Sequence, residues 1–338
     1  MTPKAFLSLG AVAVVSLIAA GAVHNMTAPR QTGARADSLL LPDLAERVAE
    51  VSRLTVRQSG RSLSITRDGD LWVLGERGNF PADQGKVRAN LVGLSQLRRV
   101  EPKTAKPELY GEIEVDDPDA EGARSRDLVV VAENGDTLAE LIVGKTRGRV
   151  GGATKSGVYV RFKHEAESWL AGGDVAISTD LGDWVNDRVM ALSVGQIERI
   201  DVTRGISFPI RMRRIAGENR GFGLDELPSG TTAKSEFSMQ NEVRKMTLVA
   251  FDDVRRAAAD AGEPEARMRI EDRRGGVMTF EMRKANDGGA WIRVAGGPGG
   301  QAADPAVERF AGYELHLPPD ARDDFIVMLA DVVDIEAS

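Results

Sequence analysis

Four basic side chains gather in one glycine-rich stretch: Lys145, Arg147, Arg149 and Lys155 lie between Gly144 and Lys155, which also holds Gly148, Gly151 and Gly152. Basic groups and glycine amides together can cradle a phosphate. A P-loop, however, places its glycines before the lysine, after a strand and at the start of a helix. Here the lysine comes first and the glycines lead into Gly157-Val158-Tyr159-Val160-Arg161, a strand-like run. The stretch reads as a loop between strands, and its four cations are the candidate contact for a phosphate-bearing molecule.

Other chemistry-bearing residues are dispersed. His24, His164 and His316 share no metal-ligand spacing. The acidic run Glu114–Glu121 lacks the glycine and distant glutamate of a calcium loop, so it reads as a solvated turn. No Gly-x-Ser-x-Gly elbow is present, and Ser156 and Ser207 have no base near them in sequence. With no cysteine, thiol nucleophiles, cysteine-ligated zinc and iron–sulfur centres are excluded. Trp72, Trp169, Trp184 and Trp291 adjoin apolar residues and read as core. No catalytic residue, metal ligand or cofactor is assigned. A net charge of -7 gives no reason to expect nucleic acid as a partner, because phosphate backbones are bound by basic faces.

The elements that must carry these residues form an α+β pattern. Leu44, Val48 and Val51 recur at helical steps after Asp43, predicting a lead-in helix. Leu54–Leu74 alternates apolar and polar residues, with breaks at Ser59-Gly60 and Asp68-Gly69-Asp70, the pattern of strands joined by tight turns. Pro81-Ala82-Asp83 then opens a helix with Val87, Leu91, Leu94 and Leu97 on one face, and Glu101-Pro102 is expected to stop it. A second strand set spans Asp127–Lys145 around an Asn134-Gly135 turn and is followed by Gly157–Phe162. A helix is expected at Glu165–Gly173.

The order then repeats at an offset of about 145 residues: strands over Ile197–Leu224, a helix over Ser235–Ala257, and three strands from Ala266 to Gly297. A terminal helix is expected at Asp320–Asp334. The chain therefore reads as two related units, residues 51–180 and 181–338, each an antiparallel β-meander with a packed helix. The connecting stretch between sheet and helix is explained by this wiring, without a ligand.

Ahead of both units, Ala5–Val23 runs nineteen residues without a charge, after a tail of residues 1–4 containing Lys4. At about 1.5 Å per residue it reaches roughly 28 Å, close to the thickness of a bilayer's hydrocarbon core. It is expected to be a transmembrane anchor or uncleaved signal, the alternative being a secretory signal cut at the small-residue site Ala20-Gly21-Ala22. Residues 24–50 form a linker and lead-in helix, and the remainder lies outside the cytoplasm.

The order of Trp72-Val73-Leu74, Pro81–Val87, Glu101–Gly111, Leu141–Thr146, Gly157–Arg161 and Asp183-Trp184 resembles the domain-of-unknown-function family 4340 over roughly residues 54–250. The resemblance implies a bacterial protein of the inner membrane with one N-terminal span and a periplasmic α+β region. It carries no catalytic set. Relatives that accompany ABC transporters make such a transporter the partner it suggests. The expected role is that of a membrane-anchored accessory or scaffold protein. The competing expectations are an envelope hydrolase and a lipid- or glycan-binding module using a cleft between the units.

Overall fold

A computed structural model describes residues 37–148, 156–217, 221–259, 261–296 and 304–335. The apolar run 5–23, the linker residues up to 36, and Arg149 and Lys155 of the basic loop lie outside the described residues. No helix among the described residues is long and apolar enough to cross a membrane.

Alternating side chains set the register of the first sheet. In β1 (Val51–Gln58) and β2 (Arg61–Asp68), Leu54 pairs with Ile65 and Val56 with Leu63, so all four enter the core. On the opposite face the Thr55 and Ser64 hydroxyls meet at 3.3 Å. The sheet continues through β3 (Leu71–Leu74), β4 (Phe80–Pro81), β5 (Arg98–Pro102), β6 (Arg126–Ala132), β7 (Thr137–Arg147), β8 (Gly157–Phe162) and β9 (Ser168–Gly172). Its strand order is β4-β3-β2-β1-β6-β7-β8-β9-β5, with antiparallel neighbours throughout.

A second antiparallel sheet comprises β10 (Ile197–Arg204), β11 (Ile210–Arg214), β12 (Phe222–Leu224), β14 (Asp253–Arg256), β15 (Ala266–Asp272), β16 (Val277–Lys284), β17 (Ala290–Gly296) and β18 (Tyr313–Leu317). Its order is β12-β11-β10-β15-β16-β17-β18-β14, which follows the first sheet strand for strand once β4 is set aside. A two-stranded ribbon joins β13 (Thr231–Ala233) to β19 (Val333–Ile335). The architecture is α+β, dominated by antiparallel sheet.

Helices are shorter than the sequence suggests. The lead-in helix α1 covers Pro42–Arg47, and Val51 already begins β1. Helix α2 (Gln84–Ser95) starts as expected, with the Asp83 carboxylate accepting from the Gly85 and Lys86 amides at 2.9 and 3.0 Å. It ends at Ser95 rather than at Pro102. The chain turns into edge strand β5, whose last residue, Pro102, is tolerated because an edge need not donate on both sides.

Three expected helices are corrected. The stretch expected as a helix at Glu165–Gly173 contains strand β9, buried from Ser168 to Ala171. Both of its faces are covered, so its apolar residues run continuously and lose the alternation that marks a strand. The helix expected over Ser235–Ala257 stops at Leu248 (α4, Glu236–Leu248), and the chain re-enters the sheet as β14. The C-terminal helix is instead α6 (Pro319–Phe325), α7 (Leu329–Val332) and β19, preceded by the unanticipated β18 and the one-turn α5 (Ala306–Arg309).

One contiguous apolar core runs through both sheets. The halves meet at a corner where Phe80 of β4 lies against Phe251, Phe310 and Tyr313, with centroid distances of 6.1, 6.0 and 5.0 Å. Around these rings, the Arg256 Nε donates to the Gly78 carbonyl at 2.8 Å and the Tyr313 hydroxyl to the Asn79 carbonyl at 3.0 Å. Arg77 pairs with Asp253 at 2.5 Å. Gly78 has φ 67°, a left-handed conformation that suits glycine, and Arg256 packs over it.

The connections from β5 to β6 and from β14 to β15 distinguish the sheets. In the first, α3 (Tyr110–Ile113) and its flanks fold over the outer face, making a second small core from Tyr110, Val115, Ile142, Tyr159 and Leu170. The Arg161 guanidinium stacks 4.6 Å from the centre of the Tyr110 ring, and its Nε donates to the Val115 carbonyl at 3.0 Å. The second connection is short, and the outer face of its sheet carries charged pairs instead.

Candidate functional site

The β10–β11 hairpin shows both what a core-facing strand needs and what it does not. Ile200, Val202, Ile210 and Met212 point inward and are buried. The turn between them closes through the Ser207 amide donating to the Arg204 carbonyl at 2.9 Å. Ile206 stands fully exposed in that turn, and Phe208 is 37% exposed beside it. Opposite, the chain leaving α6 and entering α7 brings Ile326, Val327, Met328 and Leu329 against the hairpin, and Met328 is also exposed.

Between these walls lies a cavity of about 250 Å³, lined by apolar side chains except for Arg204 and Ser207. Arg204 does not supply a free charge there. It donates to the Met328 sulfur at 3.1 Å and pairs with Glu265. An apolar hollow flanked by exposed Ile206, Phe208 and Met328, with its rim cation already neutralised, is suited to receive an apolar segment. Sequence reading passed over this site. Its signal was Ile206 and Phe208 inside a Gly/Pro-containing turn, where polar residues are usual.

A polar cluster lies on the outer face of the same sheet. His316 of β18 is buried, with Nδ1 2.6 Å from Asp252 and Nε2 3.2 Å from Asp287. Asp287 is held below the ordinary carboxylate range, first by the Gly289 amide, which donates to it, and then by His316. Since both imidazole nitrogens face carboxylates, neither faces a nucleophile, and the trio acts as a clasp between β18 and two loops. Glu314, also buried, accepts from Arg255 at 2.9 and 3.0 Å and from Arg293 at 3.3 Å. The expected core role holds for Trp169 and Trp184, which are buried, and Trp72 packs partly buried against the same core. Trp291 differs. It lies on this outer face, beneath Arg255 at 3.8 Å from its ring centre, because β17 turns Ile292 and Val294 inward.

Of the four loop cations, Lys145 and Arg147 end β7 and are exposed, and the Lys145 ammonium donates to the Glu112 carbonyl. His164, in the β8–β9 connection of the first sheet, stands 3.6 Å from Glu140, whereas His316 belongs to β18 of the second. Ser156 is bonded to Asp174, and Ser207 belongs to the exposed hairpin turn. No group of three or more metal-ligating side chains is found among the described residues.

A family model described as a domain of unknown function (DUF4340) matches residues 72–267, more than half of the chain. The chain belongs to the DUF4340 family. The match runs from β3 to the start of β15, so it takes in α2, the Phe80 and Phe251 side of the junction corner, and the whole β10–β11 hairpin of this DUF4340 protein. The cavity's other wall, residues 326–329, lies beyond it. No curated protein and no solved structure matches the chain.

Proposed function

We propose that this DUF4340 protein is an accessory protein of the bacterial envelope, held at the inner membrane by residues 5–23 with its sheets on the periplasmic side, that docks a second envelope protein. The observation that carries this reading is the apolar hollow beside Ile206, Phe208 and Met328. Because the Arg204–Glu265 pair leaves the rim without free charge, the segment received is an apolar stretch of the partner rather than a charged one. The family resemblance suggests an ABC-type transporter as that partner. The two sheets derive from one duplicated unit in this reading, supported by their matching strand orders.

The test is a photo-crosslinking amino acid at position 206 of the full-length protein in living cells, with position 71 on the other sheet as control. Cross-links to a transporter subunit from position 206, abolished by Phe208→Glu, are the expected result. Cross-links to lipid alone, or the same products from both positions, would sink the proposal.

A further inference from the structure

A larger cavity lies elsewhere, where the chain between the two sheets packs onto α4 and α5. It has a volume of about 720 Å³, within the range typical of small-molecule sites. Met190, Leu192, Val194, Leu248 and Ala306 give it an apolar lining.

Its charged lining residues are Arg188, Arg309 and Asp304. Asp304 is buried and spent on backbone: one oxygen accepts from the Ala191 and Leu192 amides at 2.6 and 2.8 Å, the other from the Ala306 amide at 2.7 Å. The two guanidiniums are linked through the main chain, Arg309 donating to the Arg188 carbonyl and Arg188 to the Leu248 carbonyl. Each has five N–H donors, and the buried Arg309 Nε meets no acceptor among the described residues. Burial also lowers the Arg309 pKa, with Asp304 and Asp187 opposing, which marks a cation partly stripped of water.

The geometry points to a binding site for an amphiphilic anion, with an acyl-like tail against Leu192, Val194 and Leu248 and a single carboxylate or phosphate head on Arg309 and Arg188. A glycan would leave the apolar lining unused, and a small inorganic anion would leave most of the volume empty. An aliphatic anion uses both. The site is separate from the hollow beside Ile206, so it stands or falls without any docking partner.

The probes are octanoate, octyl phosphate, uncharged octanamide and acetate, each titrated by calorimetry into the full-length protein held in a nonionic amphipol. One octanoate or octyl phosphate should bind per chain, at least tenfold more tightly than octanamide or acetate. Tighter octanoate identifies a free fatty acid as the natural class, and tighter octyl phosphate a lipid headgroup. Arg309→Gln should cost about tenfold in binding the charged probes and leave octanamide unchanged, while Arg309→Lys retains most of the affinity. Because Arg309 also braces the Arg188 carbonyl, Arg188→Gln serves as an independent variant with the same expected direction. Equal binding of octanoate and octanamide would reduce the site to an apolar hole and overturn the assignment. Wild-type affinity for the charged probes in both glutamine variants would do the same.

Discussion

The Asp252–His316–Asp287 clasp makes a pH prediction. Asp287 is held below the ordinary carboxylate range by Gly289 and His316, so its contribution to stability is present above its unfolded pKa of about 4 and is lost as pH falls through the lower folded value. Asp287→Asn should therefore lower the melting temperature at pH 6, and the gap to the natural protein should close on acidification toward pH 2.5. A gap that stays constant across that range would show that the carboxylate's charge is not what stabilises the clasp. Phe80 makes a larger one. It is fully buried among three rings, and Phe80→Ala should cost about 3–5 kcal/mol in denaturant titration, since the cavity left at the junction cannot collapse from either side. None of these pairings was visible in the sequence: Phe80 and Tyr313, or Asp252 and His316, are brought together only by strand order.

Among the elements, those with clean alternation were legible. The β1–β2–β3 and β15–β16–β17 runs, the Asn134-Gly135 turn and the Asp83 start of α2 all read correctly, because each has one face in the core and one in water. β9 and β18 were misread or missed because nearly every residue in them is buried, which erases the period of two. The cover over the first sheet depends on a close approach: a side chain on Gly144 would strike the Ile113 carbonyl and Val115. Gly144→Val should destabilise by about 1–3 kcal/mol and open residues 103–125 to limited proteolysis before the sheets unfold. Cleavage there no faster than in the natural protein would count against it. The β10–β11 turn should behave in the opposite way. Ile206 is fully exposed, so Ile206→Glu should change stability by no more than about 0.5 kcal/mol while removing the partner cross-links made through the hairpin, here read from a crosslinker at 208.

For the molecule as a whole, the shared core and the corner contacts of Arg77, Arg256 and Tyr313 tie the second sheet to the first. The full-length chain should accordingly lose far-ultraviolet dichroism and tryptophan fluorescence in one coincident denaturant transition, although its length would ordinarily permit two. Separate transitions by the two probes would show that the corner does not couple the halves.

The sequence by itself determined the local matters: the α+β class, most strand pairs, the cap of α2, the family, and the uncharged run at 5–23. These follow from side-chain period, turn chemistry and charge within a few residues, and need no distant partner. Tertiary structure alone decided that β9 and β18 are strands, that Phe80 meets Phe310, that His316 lies between two carboxylates, and that Arg188 and Arg309 share a cavity with Leu248. Each of those depends on chain segments tens to hundreds of residues apart, whose meeting is fixed by sheet order and by burial of apolar area in one core, quantities that no local pattern encodes.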